Sequence, residues 1–572
     1  MNTLQTAAPI DYAIIAIYML LMLGIGVYFM HFNKGASDYF KGGNRIPWLV
    51  AGISSFMSGF SAFTFTGAAG IAYSQGIAAI ALYIGNACTF LLGYWIFGVR
   101  WRRTRITTTM EYLSERFDQR TRQAFSLTTV FFQLFMGAST LYGLGLFVGS
   151  ICGLPIEPTI LVSGAIILFY CLLGGLWAVV IADFLQAIIL MPFCLVLVGA
   201  ALSRVGGIAG LIHKLPAELV SLSLPREIGW IYVVTWTIMV SFGYNTSAMA
   251  QRYFSVDNER SARKVALLCF GLFLTGSLIW FIPPLAMRVL YPNITTIWPG
   301  LANPHEASYA LAALALLPNG LIGIMLAAMF SSSMANLSGL FNLHSAIISK
   351  DVYQNLFVRN AGEKQLLKVG RITTFAVGCA ITGLAIVLAI TGQSVFNVML
   401  TFNTIMSLAY GPPALLGLVL KRTPHWSGLL SFTVSLILGC LGSFVYHWSF
   451  VTRVAVIVPV AVAVFLSSRL FEKADRRHAA GREALFKRLA TPVDMASELK
   501  ETTDLTGVVF RFLSRVTAII GFSSLILILV ASAGQRIKVI SYSGILLVLA
   551  GLMHWIPGVR GYSKRDRPTV IV

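Results

Sequence analysis

Apolar runs of about twenty residues recur from one end of the chain to the other, with short polar loops between them. Runs of that length are long enough to cross a bilayer as helices. The pattern predicts fifteen spans, near 11–32, 48–73, 76–99, 125–151, 156–176, 178–203, 229–250, 265–290, 319–348, 372–391, 394–420, 426–446, 452–470, 510–533 and 540–557. They are numbered segments 0 to 14 below.

Segment 8 does not read as a simple anchor. It belongs to the stretch from Leu321 to Tyr353, which is apolar overall yet carries Ser331, Ser332, Ser333, Asn336, Ser338 and Asn342. Wound at about 100° per residue, Ala328, Ser331, Ser332, Ala335, Ser338, Gly339, Asn342 and Ala346 share one face, and Phe330, Met334, Leu337, Phe341 and Ile348 share the other. A face of small, oxygen-bearing residues packs against protein rather than lipid. It serves close helix packing, or it holds a cation on hydroxyls and carbonyls.

Two further segments have polar centres. Segment 1 contains Gly52, Gly59, Gly67 and Gly70 among six serines and threonines, and segment 6 contains Gly243, Asn245, Thr246 and Ser247. Broken backbone at membrane depth is tolerated where it lines a cavity. Two interrupted segments five spans apart point to an inverted repeat of segments 1–5 and 6–10. In the interior of the apolar runs there is a single acid, Asp183 of segment 5. A charge in that setting points to an ion or proton role; the alternative is a carboxylate at the helix end that reaches inner water.

Composition agrees with the spans. Hydrophobic residues make up 57% of the 572 and charged residues 11%, and the mean hydropathy is +0.78, the balance of a polytopic membrane protein. The net charge of +20 does not indicate nucleic acid, because the charges sit in short loops. With the N-terminus outside, 35 of the 42 lysines and arginines fall in inner loops and 7 on the outer side, which sets the orientation and leaves the C-terminus in the cytoplasm. The seven cysteines show no paired spacing, so neither a disulfide framework nor a metal cluster is expected. The first residues lack a basic stretch, so no cleaved signal peptide is read. His344 and His554 read as packed or interfacial side chains, and the basic loop after segment 12 as a solvated connection with an amphipathic helix on the membrane surface. No Walker loop or nucleophile elbow occurs, which argues against ATP-driven transport and against catalysis.

Several short motifs, in order, resemble those of the sodium:solute symporters, the family of the sodium–glucose, sodium–proline and sodium–sialic acid transporters. They are Ser37-Asp38-Tyr39-Phe40 with Gly42-Gly43; Thr108-Thr109-Met110-Glu111-Tyr112-Leu113 with Arg116-Phe117; Gly174-Gly175 with Asp183 and Gln186; Gln251-Arg252-Tyr253; and Lys350-Asp351-Val352-Tyr353. The resemblance covers segments 0 to 10. It implies an all-α LeuT-like fold of two inverted five-helix repeats with extra terminal helices. The expected divisions are 1–47, the first repeat 48–203, the second repeat 204–420, segments 11–12 within 421–470, the basic loop 471–509, and two further helices within 510–572.

The resemblance also implies a function, the inward flow of sodium coupled to uptake of a small polar organic solute (a sugar, a sialic acid-like compound, a carboxylate or an amino acid, neutral or an anion held by backbone dipoles and hydroxyls) across the plasma membrane, in bacteria the inner one. The alternatives are a solute sensor of the same fold and a proton-coupled carrier using Asp183. The family's sodium site maps onto Met57, Phe60, Ser332, Ala335 and Asn336, with the ion on backbone carbonyls and on the amide oxygen that Asn336 provides where the family often has serine. A candidate second cation site maps onto Asp183 and Ser338, although Ala335 and Gly339 lack the matching hydroxyls. The solute would lie near Gly59, Ser61, Thr64, Tyr83, Gln133, Phe242 and Asn403. Met136 stands where the sialate type has an arginine. Sodium is the co-transported ion, no organic cofactor is expected, and the partners are the solute and the lipid bilayer, with neither nucleic acid nor an obligate protein partner.

Overall fold

The structure, a computed structural model, describes residues 7–30, 46–59, 61–106, 109–171, 176–221, 223, 228–246, 248–358, 362–474, 479–493, 506–529 and 531–559. The motif over 37–43, Thr108, Gly174-Gly175, Ser247 and Phe60 lie outside the described residues. Eleven helices are long and apolar enough to cross a membrane; one bent pair and three shorter apolar helices complete the set, fifteen in all. Each coincides with one of the fifteen apolar segments. Among the described residues there is no strand.

The interruptions in segments 1 and 6 are real breaks. Segment 1 is a helix over Trp48–Ser58 followed by helical pieces from Ala62 to Gln75, bent by 56°. Gly59 ends the first helix, and Ser61 caps the next in extended conformation, its Oγ accepting from Phe63 N at 3.3 Å. In segment 6 the helix Trp230–Tyr244 stops at Asn245, and a second helix runs over Ala248–Ser255. The freed polar groups find partners there. Asn245 Nδ2 donates to Ser241 O at 3.0 Å, Thr246 Oγ1 donates to Phe242 O at 2.5 Å, and Trp101 Nε1 donates to Asn245 O at 2.8 Å.

Segment 8, Leu321–Ala346, is the most enclosed of the spanning helices. Segments 0, 3, 5 and 9 pack around it. Its serines at 331, 332 and 333 are fully buried, so the small-residue face does meet protein. His344 is buried with both ring nitrogens near carbonyls, Nδ1 at 2.7 Å from Leu340 O and Nε2 at 3.0 Å from Val130 O, as a packed histidine.

The end of the bundle that carries Arg103, Glu259 and Thr423 is termed inner here. There the connection after segment 12 departs from its expected place on the lipid surface. Its helix Ala479–Ala490 lies against protein, with Leu485 and Leu489 buried. Arg103 Nε sits 2.9 Å from Glu259 Oε1, which also accepts from Val493 N at 2.9 Å, and Arg482 Nη1 donates to Thr423 O at 2.9 Å. The helix thereby straps the ends of segments 2, 7 and 10 together. Its buried leucines and these inward-reaching charges explain why a protein surface, not lipid headgroups, takes its apolar face.

Candidate functional site

The last turn of a helix leaves carbonyls without amide partners. In segment 1 that turn is the buried Met57 and its neighbour Ser58, at the break. Asn336 of segment 8 lies across it. Its Nδ2 donates to Ser58 O at 3.4 Å, and its Oδ1 accepts from Thr140 Oγ1 of segment 3 at 3.4 Å. Both contacts are long, so the amide oxygen keeps a lone pair free. Ser332 donates its hydroxyl to Met329 O at 3.1 Å, and Ser338 donates to Ala335 O at 3.1 Å. Among the described residues, Asn336 is thus the one of the expected sodium-site residues with a hydrogen bond to the end of the first helix of segment 1.

Asp183 is 1% exposed and does not reach inner water. Its Oδ2 accepts from Ser54 Oγ at 2.6 Å and lies 3.6 Å from Arg252 Nη2. Arg252 also donates to Ser54 Oγ, from Nε at 3.3 Å and from Nη2 at 3.2 Å. Asp183 Oδ1 is buried without a hydrogen-bond partner. No hydrogen bond joins Asp183 to Ser338 among the described residues. Asp183 therefore comes with its own cation, carried by the inner half of segment 6. The Gln251-Arg252-Tyr253 motif held that arginine in view, but nothing in the spacing pairs it with Asp183.

The residues assigned to the solute form small hydrogen-bonded sets. Tyr83 Oη donates to Thr64 Oγ1 at 3.2 Å, and Ser407 Oγ donates to Asn403 Oδ1 at 2.9 Å. The Asn403–Ser407 pair faces Gly243, where a Cβ would stand 2.8 Å from Ser407 Oγ. Phe242 packs tightly on Gly411, and Gln133 Oε1 is buried without a hydrogen-bond partner. Gly59 and Ser61 form the break itself. Among these described residues none is charged.

Outward of this set stands a stack of aromatic rings. Phe396, at the first turn of segment 10, stacks on Phe63 with centroids 5.9 Å apart and on Trp236 at 6.1 Å. Trp236 is fixed by its Nε1 donating to Asn86 Oδ1 at 2.7 Å. Above the stack, Glu306 from the outer loop before segment 8 accepts from Ser394 Oγ at 2.8 Å and from the amides of Val395 and Phe396 at 3.2 Å each. A carboxylate at a helix N-terminus is favourable, and this one ties the loop to segment 10. Burial pushes the Glu306 carboxyl up, and its three donors oppose that rise. Sequence reasoning missed this clasp, since Glu306 sits in a loop without periodicity and its three donors are 88 or more residues away.

A profile of the sodium:solute symporter family matches residues 39–434. The chain is 25% identical over 475 residues to the sodium/glucose cotransporter 2 of Rattus norvegicus, covering 75% of this chain and 71% of that one. It is 25% identical over 445 residues to the sodium/sialic acid symporter of Proteus mirabilis, covering 75% and 88%. A solved structure of a Na+-coupled sialic acid symporter, in a substrate-bound outward-open state, superimposes with a TM-score of 0.70 at 22% identity, over 81% of this chain and 98% of that one. Its likeness is one of fold, the LeuT-like arrangement.

Replacing Glu306 by Gln should loosen the outer closure. Charged-group hydrogen bonds contribute about 1.5–3 kcal/mol each when lost, so even one lost in full corresponds to roughly tenfold or more in the open fraction. A cysteine placed at Thr64 in a cysteine-free background should then react at least several-fold faster with an impermeant thiol reagent. An unchanged rate would show that Glu306 does not hold the closed form.

Proposed function

The chain belongs to the sodium:solute symporter family, and from that premise we propose that it brings a neutral, polyhydroxylated small solute into the cell with one sodium ion per cycle. Members of this family are transporters that use sodium and work by alternating access across a membrane, and a multi-pass membrane protein with this fold does the same. The N-terminus lies outside and the C-terminus in the cytoplasm, on the asymmetry of lysine and arginine between the loops. The membrane is the plasma membrane.

The observation that supports the solute class is that the described residues assigned to the solute are uncharged, where Thr64 with Tyr83, Asn403 with Ser407, and Gln133 offer donors and acceptors. Such groups match hydroxyls one by one. A carboxylate would need a cation, and the position that carries arginine in the sialate type is Met136. The glucose relative agrees with this chemistry; the sialic acid relative shares the fold and the sodium dependence in its name.

Sodium, as a co-transported substrate, would be held by carbonyls of Met57 and, with it, Phe60 at the break, by the carbonyls of Ser332 and Ala335, and by the amide oxygen of Asn336. In this reading the ion pulls the end of segment 1 against segment 8, which couples its occupancy to the solute-lining residues just beyond Gly59. Arg252 already neutralises Asp183, so a second cation at Asp183 and Ser338 is outside the proposed cycle. Opening towards the cytoplasm has to separate segment 5 from the inner half of segment 6, and the pair is a contact that this motion can break.

Uptake into liposomes tests the proposal. One charge crossing about 100 mV gains about 2.3 kcal/mol, and a tenfold sodium gradient adds about 1.4 kcal/mol. Together these can concentrate a neutral solute several hundredfold. Among sugars, polyols, amino acids and carboxylates, a sugar or polyol should be concentrated, with a sodium Hill coefficient near one. Uptake undiminished without sodium would sink the coupling, and a coefficient near two would restore the second site.

Asn336→Ala should raise the sodium concentration for half-maximal uptake, because it removes a side-chain oxygen from the ion. Ser332→Ala should leave it nearly unchanged, because the carbonyl stays. The reverse order would mean that the ion does not sit where these residues place it.

A further inference from the structure

Segment 0 lies outside the ten-helix core, yet it grips segment 8 at two points. Asp11, in its first turn, is fully buried. Its Oδ1 accepts from the amide of Gly320 at 2.6 Å and from that of Gly323 at 2.7 Å, and its Oδ2 accepts from the amide of Ala8 at 2.8 Å. Gly320 and Gly323 begin segment 8. Their amides are two of the four that a helix start leaves open; the next two, Leu321 and Ile322, are taken by Pro318 O at 3.1 and 3.3 Å. The whole N-terminus of segment 8 is thus satisfied, half of it by a carboxylate from another helix. The charge also has the sign that a helix N-terminus favours.

The second grip is Tyr18, fully enclosed in the bundle, whose hydroxyl bonds Ser331 Oγ. From Asp11 to Tyr18 is about two helical turns, and from Gly323 to Ser331 slightly more than two. The two helices therefore run in the same direction with matched rise. One contact sets how far segment 8 reaches along its axis. The second, beside Ser332, sets its rotation. Two points two turns apart fix both quantities, and Ser332, Ala335 and Asn336 follow on the next turns.

The terminal helices add to the same junction. A Cβ on Gly320, which has φ +89°, would stand 2.6 Å from Leu527, and Lys538 Nζ donates to Leu316 O at 2.5 Å. Gly323 shows how close the grip is, since a Cβ there would stand 2.6 Å from Asp11 Cα and 2.7 Å from its carbonyl oxygen.

We propose that Asp11 and Tyr18 are positioning residues for sodium: segment 0 holds segment 8 at the height and rotation that aim the Ser332, Ala335 and Asn336 oxygens at the break of segment 1. This rests on the sodium reading given above. Asp11 is remote from the ion, because Gly323 is about 14 Å from Ser332 along the helix axis; Tyr18 acts through Ser331, the residue before Ser332.

The test is titration of sodium, with choline holding ionic strength constant, against the thermal midpoint of the purified full chain. Binding to the folded form stabilises it by RT ln(1 + c/Kd) at sodium concentration c, so the rise of the midpoint with sodium yields a dissociation constant separately from the midpoint without sodium. Outer partners of metal ligands are worth about 10–100-fold in affinity, and for groups this far from the ion a several-fold weakening is expected in Asp11→Ala, with a smaller one in Tyr18→Phe. Gly323→Ala leaves both side chains in place and suits a helix better, yet it must push segment 0 away. It should weaken sodium binding to a similar degree. Tyr12→Phe, at a half-exposed neighbour of Asp11, should not.

Failure separates cleanly. A wild-type chain that gains nothing from sodium removes the sodium reading and this inference with it. A wild type that responds, with Tyr18→Phe and Gly323→Ala binding sodium as the wild type does, overturns the inference alone, whatever their midpoints without sodium.

Discussion

Backbone that leaves a helix in the middle of a membrane must find its partners inside the protein. The two breaks in this chain meet that constraint differently, and the difference locates the chemistry. Segment 6 closes its break with its own polar side chains and with the indole of Trp101. In segment 1, among the described residues, the Gly59 amide turns back on the last carbonyls and Asn336 makes one long bond to Ser58 O. That helix end faces the serine-lined side of segment 8 rather than a set of matched donors. An arrangement rich in acceptors and poor in donors suits a small cation, and it sits next to residues that can hydrogen-bond a solute. The enclosure of segment 8 gives those oxygens a rigid backing.

Alternating access needs closures at both ends that hold and yet yield to the ligands. The outer closure combines the Phe63–Phe396–Trp236 stack with the Glu306 clasp on segment 10. At the inner end stand the Ser54–Asp183–Arg252 cluster and the strap of helix Ala479–Ala490. Each is a handful of contacts rather than a continuous interface. A ligand can move an equilibrium only by its differential affinity for the two states, so closures of a few kcal/mol are the size that sodium and solute binding can overcome.

The fifteen spans and the two breaks were legible because they rest on local quantities: run length, and glycine and serine within a run. The family motifs then singled out Met57, Ser332 and Asn336 as one expected site, and Asn336 does bond the neighbour of Met57, Ser58. What the sequence did not disclose are pairings across the fold. Asp183 is conspicuous alone, but its bond to Ser54 and its approach to Arg252 join residues 129 apart in the first case and lie on a different repeat in the second. Asp11 looks like an ordinary helix start, and only the folded chain shows it starting a different helix, more than 300 residues on. The helix Ala479–Ala490 has an amphipathic pattern that fits lipid and protein equally, and the buried Arg482 on Thr423 O, with the Val493 amide on Glu259, decided between them.

The central claim is that one sodium ion crosses with one uncharged solute. The reversal potential of solute-dependent current, measured on the reconstituted protein across known sodium and solute gradients, gives the charge moved per solute directly. The account predicts a ratio of one that is independent of pH. A ratio of zero, as for an anion carried with a single sodium or for uptake without an ion, would contradict it.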